Sequence, residues 1–386
     1  MIEESRIKEN LKKFAFPRLS GTEFEFKAFN MLKEEVEKLN LEYEIQPFTF
    51  SSFYSRIYPK IAFLSVTLIF PLLYLEILIA ISIIPILILL ILLVTSILLT
   101  RNPEKIQFFF RLSSQNLLVK IKSISNDIRN KDRIALFISH IDSKSQRFGV
   151  KKRIRLIKLW ISSSITLVFI IILKNLIFVE FKIIFYIIGV VPLITNILSS
   201  IITLLNTTDN KSNGAIDNAS GITCNLEIIN YYNIPENRLQ NYNMWFLFTG
   251  AEECGTMGIR FFYNNLKNFN PNKSIIYDFE SIANYVFLWP GKNEGEHAKS
   301  IDLLLLNNER NLQINHFPSK RVLGTHSDGG FLGDRGFQGF GIGGVEWYTY
   351  IHTPNDTIDK IDTKILKDLC LVLTDAMKEH DSKFII

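Results

Sequence analysis

The sequence predicts an α/β fold: a mixed, largely parallel central sheet flanked by helices and interrupted by two inserted transmembrane helical hairpins, about four spans in all. Three observations lead there. Apolar runs of strand length alternate with helix-period patterns over most of the chain, residues 61–100 and 156–205 are almost wholly apolar, and the mean hydropathy of the 386 residues is +0.17. A soluble surface needs polar side chains, so such an average points to segments that live in lipid. It also excludes intrinsic disorder.

The opening Met1-Ile2-Glu3-Glu4-Ser5-Arg6 is acidic and helical, unlike the basic-then-apolar start of a signal peptide. Thr22 followed by Glu25 forms a capping box, and Phe24, Ala28, Phe29, Leu32, Val36 and Leu39 then recur at helical spacing, which predicts a helix over 22–39. Residues 43–50 read as a strand, with Pro47 favouring a sheet edge. Further strands are expected at 117–121, 134–139, 244–248, 275–278 and 285–289, and helices at 222–232, 256–266 and 363–378.

Between Ile61 and Thr100 the only charged side chain is Glu76, near the middle. At about 1.5 Å per residue that stretch would form roughly 60 Å of helix, two crossings of a hydrocarbon core of about 30 Å. The second apolar stretch is broken centrally by Lys174, Asn175, Glu180 and Lys182, so it too fits a hairpin. Arg56, Lys60, Arg101, Lys105, Lys151, Lys152, Arg153, Arg155 and Lys158 flank the spans on the side of the remaining chain. The positive-inside rule then predicts a multi-pass integral membrane protein with the domain formed by the remaining chain in the cytoplasm. The expected organisation is one domain made of residues 1–60, 101–155 and 206–386, opened at 61–100 and 156–205 by the hairpins. Three cysteines suit a reducing compartment, and the net charge of +5 comes without the basic and aromatic interleaving of a nucleic-acid groove. Membrane lipid is the expected partner, not nucleic acid, and the oligomeric state is not legible.

The residues that carry chemistry follow strands or border tight turns. His140 ends the apolar run from 134, with Asp142 two residues on, and is either a surface His of a strand-to-helix loop or a ligand at the kind of strand end where open α/β sheets place them. Gly214-Ala215-Ile216-Asp217-Asn218-Ala219-Ser220-Gly221 sets Asp217 on a glycine-bounded turn before a helix, suited either to cation binding or to helix capping. The run 244–248 leads into Glu252 and Glu253, which are either two solvated acids of a surface loop or, if buried at the strand end, a pair that needs a cation or must hold a proton. Asp278 follows another apolar run, and His352 precedes the turn Thr353-Pro354-Asn355-Asp356-Thr357. Two histidines with three of these carboxylates are an inventory for two divalent ions bridged by one carboxylate.

With these motifs the chain resembles the co-catalytic zinc aminopeptidases of metallopeptidase family twenty-eight, clan MH. The Gly-Ala-Ile-Asp-Asn-Ala-Ser-Gly, Gly-Ala-Glu-Glu and His-Thr-Pro-Asn-Asp-Thr elements carry the likeness, helped by Pro17-Arg18-Leu19-Ser20-Gly21-Thr22 and by Ser327-Asp328 with Phe331. The resemblance implies an aminopeptidase acting on peptides with two Zn2+ per chain. It implies His140 and Asp278 as terminal ligands of one zinc, Glu253 and His352 of the other, Asp217 as the bridge, Glu252 as general base, and Asp142 as the acid that orients His140. Two departures stand out: Ile351 where relatives carry a Tyr before the last ligand His, leaving Tyr350, Tyr348 or no residue as oxyanion donor, since neither tyrosine is in register, and Gly329 where they carry His, while His326 stands earlier. Alternative readings are a glutaminyl-cyclase-like one-zinc aminoacyl transferase and a non-catalytic membrane scaffold of the same fold.

Overall fold

The computed structural model describes residues 1–77, 91, 94, 102–106, 109–125, 132–266, 269–291, 295–317, 327–344 and 346–384. The chain divides into two compact units, the first made of residues 1–50, 111–145 and 210–386, the second of 51–110 and 146–209.

The first unit is built on an eight-stranded sheet. Its strands are β1 (Tyr43–Ser51), β2 (Arg111–Ile121), β3 (Ile134–His140), β4 (Asn243–Thr249), β5 (Ser274–Glu280), β6 (Val286–Pro290), β7 (Ile314–His316) and β8 (Gln338–Gly343), in the spatial order β1-β2-β4-β3-β5-β8-β6-β7. β4, β3, β5 and β8 run parallel, and β2 and β6 pair antiparallel with β4 and β8. The sheet is thus mixed with a parallel centre, and β1, the strand carrying Pro47, lies at its edge. β8, with the sequence Gln-Gly-Phe-Gly-Ile-Gly, escapes a search for apolar runs because half its residues are glycine. Gly339 there lies at φ +144.

Side chains alternate across the sheet with a period of two. Ala135 and Phe137 of β3 join a core cluster with Leu117, Phe246, Tyr277 and the helices Glu4–Phe14, Glu23–Lys38, Ser220–Asn233 and Thr363–Ser382. Ile134, Leu136 and Ile138 point the other way, into a cluster with Ile259, Phe262, Phe331 and Phe337. Both faces are therefore covered, which is why the central strands read as unbroken apolar runs. Phe137 sits at the middle, its ring stacked on Tyr277 and Phe246 at centroid distances of 4.5 and 5.4 Å. Truncating it to alanine would cost about 3–5 kcal/mol. The first helix shows how a polar segment still anchors itself: Ile7, Leu11 and Phe14 form its buried stripe, with Glu4 in its first turn and Lys12 and Lys13 in its last.

The second unit contains the helices Tyr58–Tyr74, Val150–Ile172 and Val190–Leu204, with the short Lys182–Ile188 between the last two. Four spans are not what the described residues display. One continuous helical run, 150–177, is long and apolar enough to cross a membrane, and the pair Val179–Ile188 and Val190–Leu204 passes that test only jointly, across a bend of 47°. Gly189 and Pro192 stand at the bend, where a helix loses side-chain packing and a backbone donor. The first expected hairpin is described only through the 17-residue helix Tyr58–Tyr74, and most of its second half lies outside the described residues.

Polar groups hold this unit together. Buried Asn196 donates to Ser164 Oγ at 2.8 Å and Ser163 Oγ at 3.2 Å. Glu76, Lys174 and Lys182, the charges expected at the hairpin tips, meet in one cluster: Lys174 Nζ lies 3.1 Å and Lys182 Nζ 3.2 Å from the Glu76 carboxylate. Lys174, fully buried, also stands 4.0 Å from the centroid of the Tyr186 ring. Outward, the unit presents Ile165, Phe169, Ile183, Ile187 and Val191, all exposed.

Candidate metal centre

The parallel strands end on one rim, and the candidate site stands there. His140 is the last residue of β3, in register with Thr249 at the end of β4, and Glu280 is the last of β5, in register with Gly343 of β8. Asp217 comes from the turn before the helix Ser220–Asn233, across an Asp217–Asn218 peptide that is cis. Glu252 and Glu253 follow β4, and His352 lies in the turn before Thr353.

Two groups of three side chains converge with donor atoms within 4.8 Å of one another: His140, Asp217 and Glu280, and Asp217, Glu253 and His352. They share Asp217. Its Oδ1 lies 3.0 Å from His140 Nε2 and its Oδ2 3.1 Å from His352 Nε2. His140 Nε2 is 3.6 Å from Glu280 Oε2, and His352 Nε2 is 3.0 Å from Glu253 Oε1.

The donor set fits divalent metal on two grounds. Glu253 Oε1, although so close to the imidazole, receives no hydrogen bond, and neither does buried Glu280 Oε1. Buried carboxylate oxygens left without a donor have acceptor capacity that a cation would fill. In addition, Asp142, Asp217, Glu252, Glu253, Asp278, Glu280, Asp328 and Asp356 are all buried. So many carboxylates in a low dielectric cannot all ionise without cations. Their proton affinities show the conflict. Burial, then the charge of Glu280, pushes Glu252 well above the ordinary carboxylate range, and burial with Asp278 does the same to Glu280. Burial lifts Asp278 to about 6, Asp356 to about 7 and Asp328 to about 8. Burial also opposes ionisation of Asp217 and Glu253. Hydrogen bonds from His140 and His352 nevertheless keep Asp217 below its usual value, and the charges of His352 and Lys144 hold Glu253 at about 2.

Of the residues the sequence nominates, the structure brings together His140, Asp217, Glu253 and His352, with Glu252 adjoining. Asp278 stands outside the group, and Glu280 takes its place. Asp278 and Glu280 point to the same face of β5, but Asp278 pairs with Ile138, two residues short of the rim, about 6–7 Å deeper along the strand. Its Oδ2 accepts the Gly329 amide at 2.7 Å instead. The same contact accounts for Gly329: a Cβ there would lie 2.5 Å from Asp278 Cβ. Glu280 escapes a sequence reading that ends the strand at the first acid, although Phe279 continues the apolar alternation. His326 lies outside the described residues. Tyr348 feels the charges of Glu280 and Asp217, and burial with those charges lifts its phenol to about 12.

Supporting side chains keep these groups in place. His140 Nδ1 faces the Asp142 backbone oxygen at 2.9 Å and its carboxylate at 3.4 Å. The Asp142 carboxylate also accepts the amides of Glu252 and Glu253, each at 3.1 Å, and the Ser20 hydroxyl. Asp356, four residues after His352, accepts Ile216 N at 2.6 Å and Asp217 N at 3.3 Å, so the His-Thr-Pro-Asn-Asp-Thr element grips the turn that carries Asp217. Buried Arg18 donates to the carbonyls of Phe14, Phe16, Ile141, Asn213 and Gly214. Gly214 sits at φ +56, where a Cβ would meet Ser143 Cβ at 2.5 Å, so only glycine serves. Lys144, which the sequence reading passed over, places Nζ 2.6 Å from Glu253 Oε2.

Residues 200–377 match the sequence model of Peptidase family M28. No curated protein sequence matches the chain. Among solved structures, the aminopeptidase from Aneurinibacillus sp. strain AM-1 aligns with TM-score 0.60 at 12% identity, covering 98% of this chain and 94% of that one. A zinc aminopeptidase from Bacillus subtilis aligns with TM-score 0.57 at 12% identity over 98% and 95%. The glutaminyl cyclase of Fimbriiglobus ruber aligns with TM-score 0.53 at 12% identity over 98% and 95%. The chain thus has the α/β fold of the zinc aminopeptidases, with the elements at 214–221, 250–253 and 352–357 all inside the stretch that matches the peptidase family.

Proposed function

We propose that this protein is a membrane-anchored, zinc-dependent aminopeptidase that removes N-terminal residues from peptides. The observation that carries the reading is the sharing of Asp217 between two three-residue groups, one oxygen toward His140 and the other toward His352. His140, Asp217 and Glu280 would hold one Zn2+, and Asp217, Glu253 and His352 the second. Zinc bound there supplies Lewis acidity toward a carbonyl oxygen and a water acidic enough to react near neutral pH. Glu252 adjoins this group without belonging to either set; burial raises its proton affinity, and the charge of bound cations would restore the carboxylate that a general base needs. Its carboxylate takes a proton from the attacking water and returns it to the leaving amine. Buried Asp142 would orient His140, and Tyr348, whose phenol feels the charges of Glu280 and Asp217, would be the donor to the carbonyl oxygen as negative charge grows there.

The exposed apolar helices of the second unit support anchoring in a bilayer, by four spans or fewer. The basic residues 151–158 at the start of the long helix favour a cytoplasmic enzyme domain. Metal analysis and an aminoacyl fluorogenic panel on the detergent-purified chain test the reading. About two zinc per chain with hydrolysis is expected. One zinc with cyclisation of N-terminal glutamine would favour the cyclase reading, which the likeness to a glutaminyl cyclase keeps in play. Neither metal nor turnover would leave a scaffold. Protease added to inverted membrane vesicles tests orientation: residues 214–380 are expected to be cut, and protection would place the domain on the opposite face.

A further inference from the structure

Four consecutive amides in the turn that carries the two glutamates are each received by a side chain. Gly250 N donates to Asn116 Oδ1 at 3.2 Å, Ala251 N to Glu25 Oε1 at 2.9 Å, and Glu252 and Glu253 N to the two oxygens of Asp142. Ala251 lies at φ 52, in the left-handed region that a residue with a Cβ adopts only when its surroundings impose it. The acceptor at that residue comes from the far end of the chain. Glu25 stands in the first turn of the helix Glu23–Lys38, 4% exposed. Its Oε1 also accepts Ser114 Oγ at 2.8 Å, and its Oε2 accepts Gly21 N at 2.6 Å. The fit is close: a Cβ on Gly250 would lie 2.1 Å from Ser114 Oγ and 3.0 Å from Glu25 Oε1. Glu25 belongs to neither group of metal donors, so whatever it does for the chemistry passes through the backbone.

We propose that Glu25 is a positioning residue for Glu252: by holding the Ala251 amide it maintains the left-handed turn from which the Glu252 carboxylate reaches the reacting water. The inference rests on the reading of Glu252 as general base. Proton transfer tolerates little displacement, and an error of about 1 Å in such a group can cost on the order of 100-fold in rate. Of the five candidate metal donors only Glu253 shares this turn, and Asp142 holds its amide directly, so the loss falls mainly on kcat. Glu25 also borders a cavity of about 490 Å³ walled by Phe26, Phe29, Phe48 and Phe261. Truncation at position 25 therefore leaves a space that a small carboxylate from solution can reach.

The test uses the full chain in detergent, loaded with zinc. Glu25→Ala is expected to lower kcat by about 30-fold or more with KM changed less than about threefold and zinc content unchanged. Glu25→Gln, which keeps an oxygen for the Ala251 amide, should recover most of the loss. Acetate should raise kcat of Glu25→Ala several-fold and leave the wild type unaided. Hydrogen exchange at residues 250–253 should quicken in Glu25→Ala whatever the substrate. Should Glu25→Ala not fold, Glu25→Asp withdraws the carboxylate by one methylene and is expected to show the same kcat loss. An active wild type beside a variant of unchanged kcat, a loss carried by KM, or unaltered exchange at 250–253 overturns the role of Glu25. A wild type without activity refutes instead the reading of the site, and exchange alone then decides whether Glu25 holds the turn.

Discussion

Glu280 Oε2 stands 3.6 Å from His140 Nε2 at the carboxyl rim of the sheet, while Asp278, two residues earlier on the same face of the same strand, gives its carboxylate to the Gly329 amide. The two acids differ by one period of the strand, and that separates a candidate metal donor from a structural acceptor.

Glu280→Gln removes an anionic donor from the first group and should lower zinc content by about one per chain, whereas Asp278→Asn should leave it unchanged. Elemental analysis of both variants after gel filtration measures this. Loss of zinc from Asp278→Asn with retention in Glu280→Gln would reverse the assignment.

The metal-free chain should lose stability as pH rises. Burial lifts Asp278 to about 6, Asp356 to about 7 and Asp328 to about 8, so each binds its proton more tightly folded than unfolded. Their support for folding is complete below their unfolded values and fades as pH climbs through 6 to 8. The Tm of EDTA-stripped protein should fall by on the order of 5–10 °C between pH 5.5 and 8.5, and zinc should flatten that slope. A Tm that rises over this window would contradict the account.

Arg18→Met should unfold the chain or lower its stability by about 3–5 kcal/mol, because five carbonyls, three of them in buried bonds, lose a charged donor at once. Arg18→Lys should rescue little, since one ammonium cannot spread over the same acceptors. Thermal melts in detergent compare the three proteins, and a Lys variant as stable as wild type would show that charge alone suffices.

In the second unit, Glu76→Gln leaves buried Lys174 without its anion and should cost about 3 kcal/mol or more. The double variant Glu76→Gln with Lys174→Met should recover much of that. Protease resistance of residues 150–205 in micelles reads the outcome, and equal susceptibility of single and double variants would mean the ion cluster contributes nothing.

The sequence by itself determined the elements and the chemical inventory. Apolar runs at 134–139 and 244–248, the capping box at Thr22 and the period of 363–378 mark strands and helices, because burial on one or both faces imposes those patterns locally. Asp217, Glu253, His140 and His352 were legible for a similar reason: each ends a strand or sits in a tight turn whose glycines and prolines are themselves local signals. Where the argument depended on register it stopped short. Glycine-rich β8 leaves no hydrophobic signature, and whether Asp278 or Glu280 reaches the rim depends on where β5 ends relative to β3. Tertiary structure alone decided that choice, as it did the union of Glu25, Asn116 and Asp142 on one turn and the meeting of Glu76 with Lys174 and Lys182. Periodicity says which way a side chain points, but distance between segments far apart in the chain is set by packing, and metal and proton chemistry respond to distance.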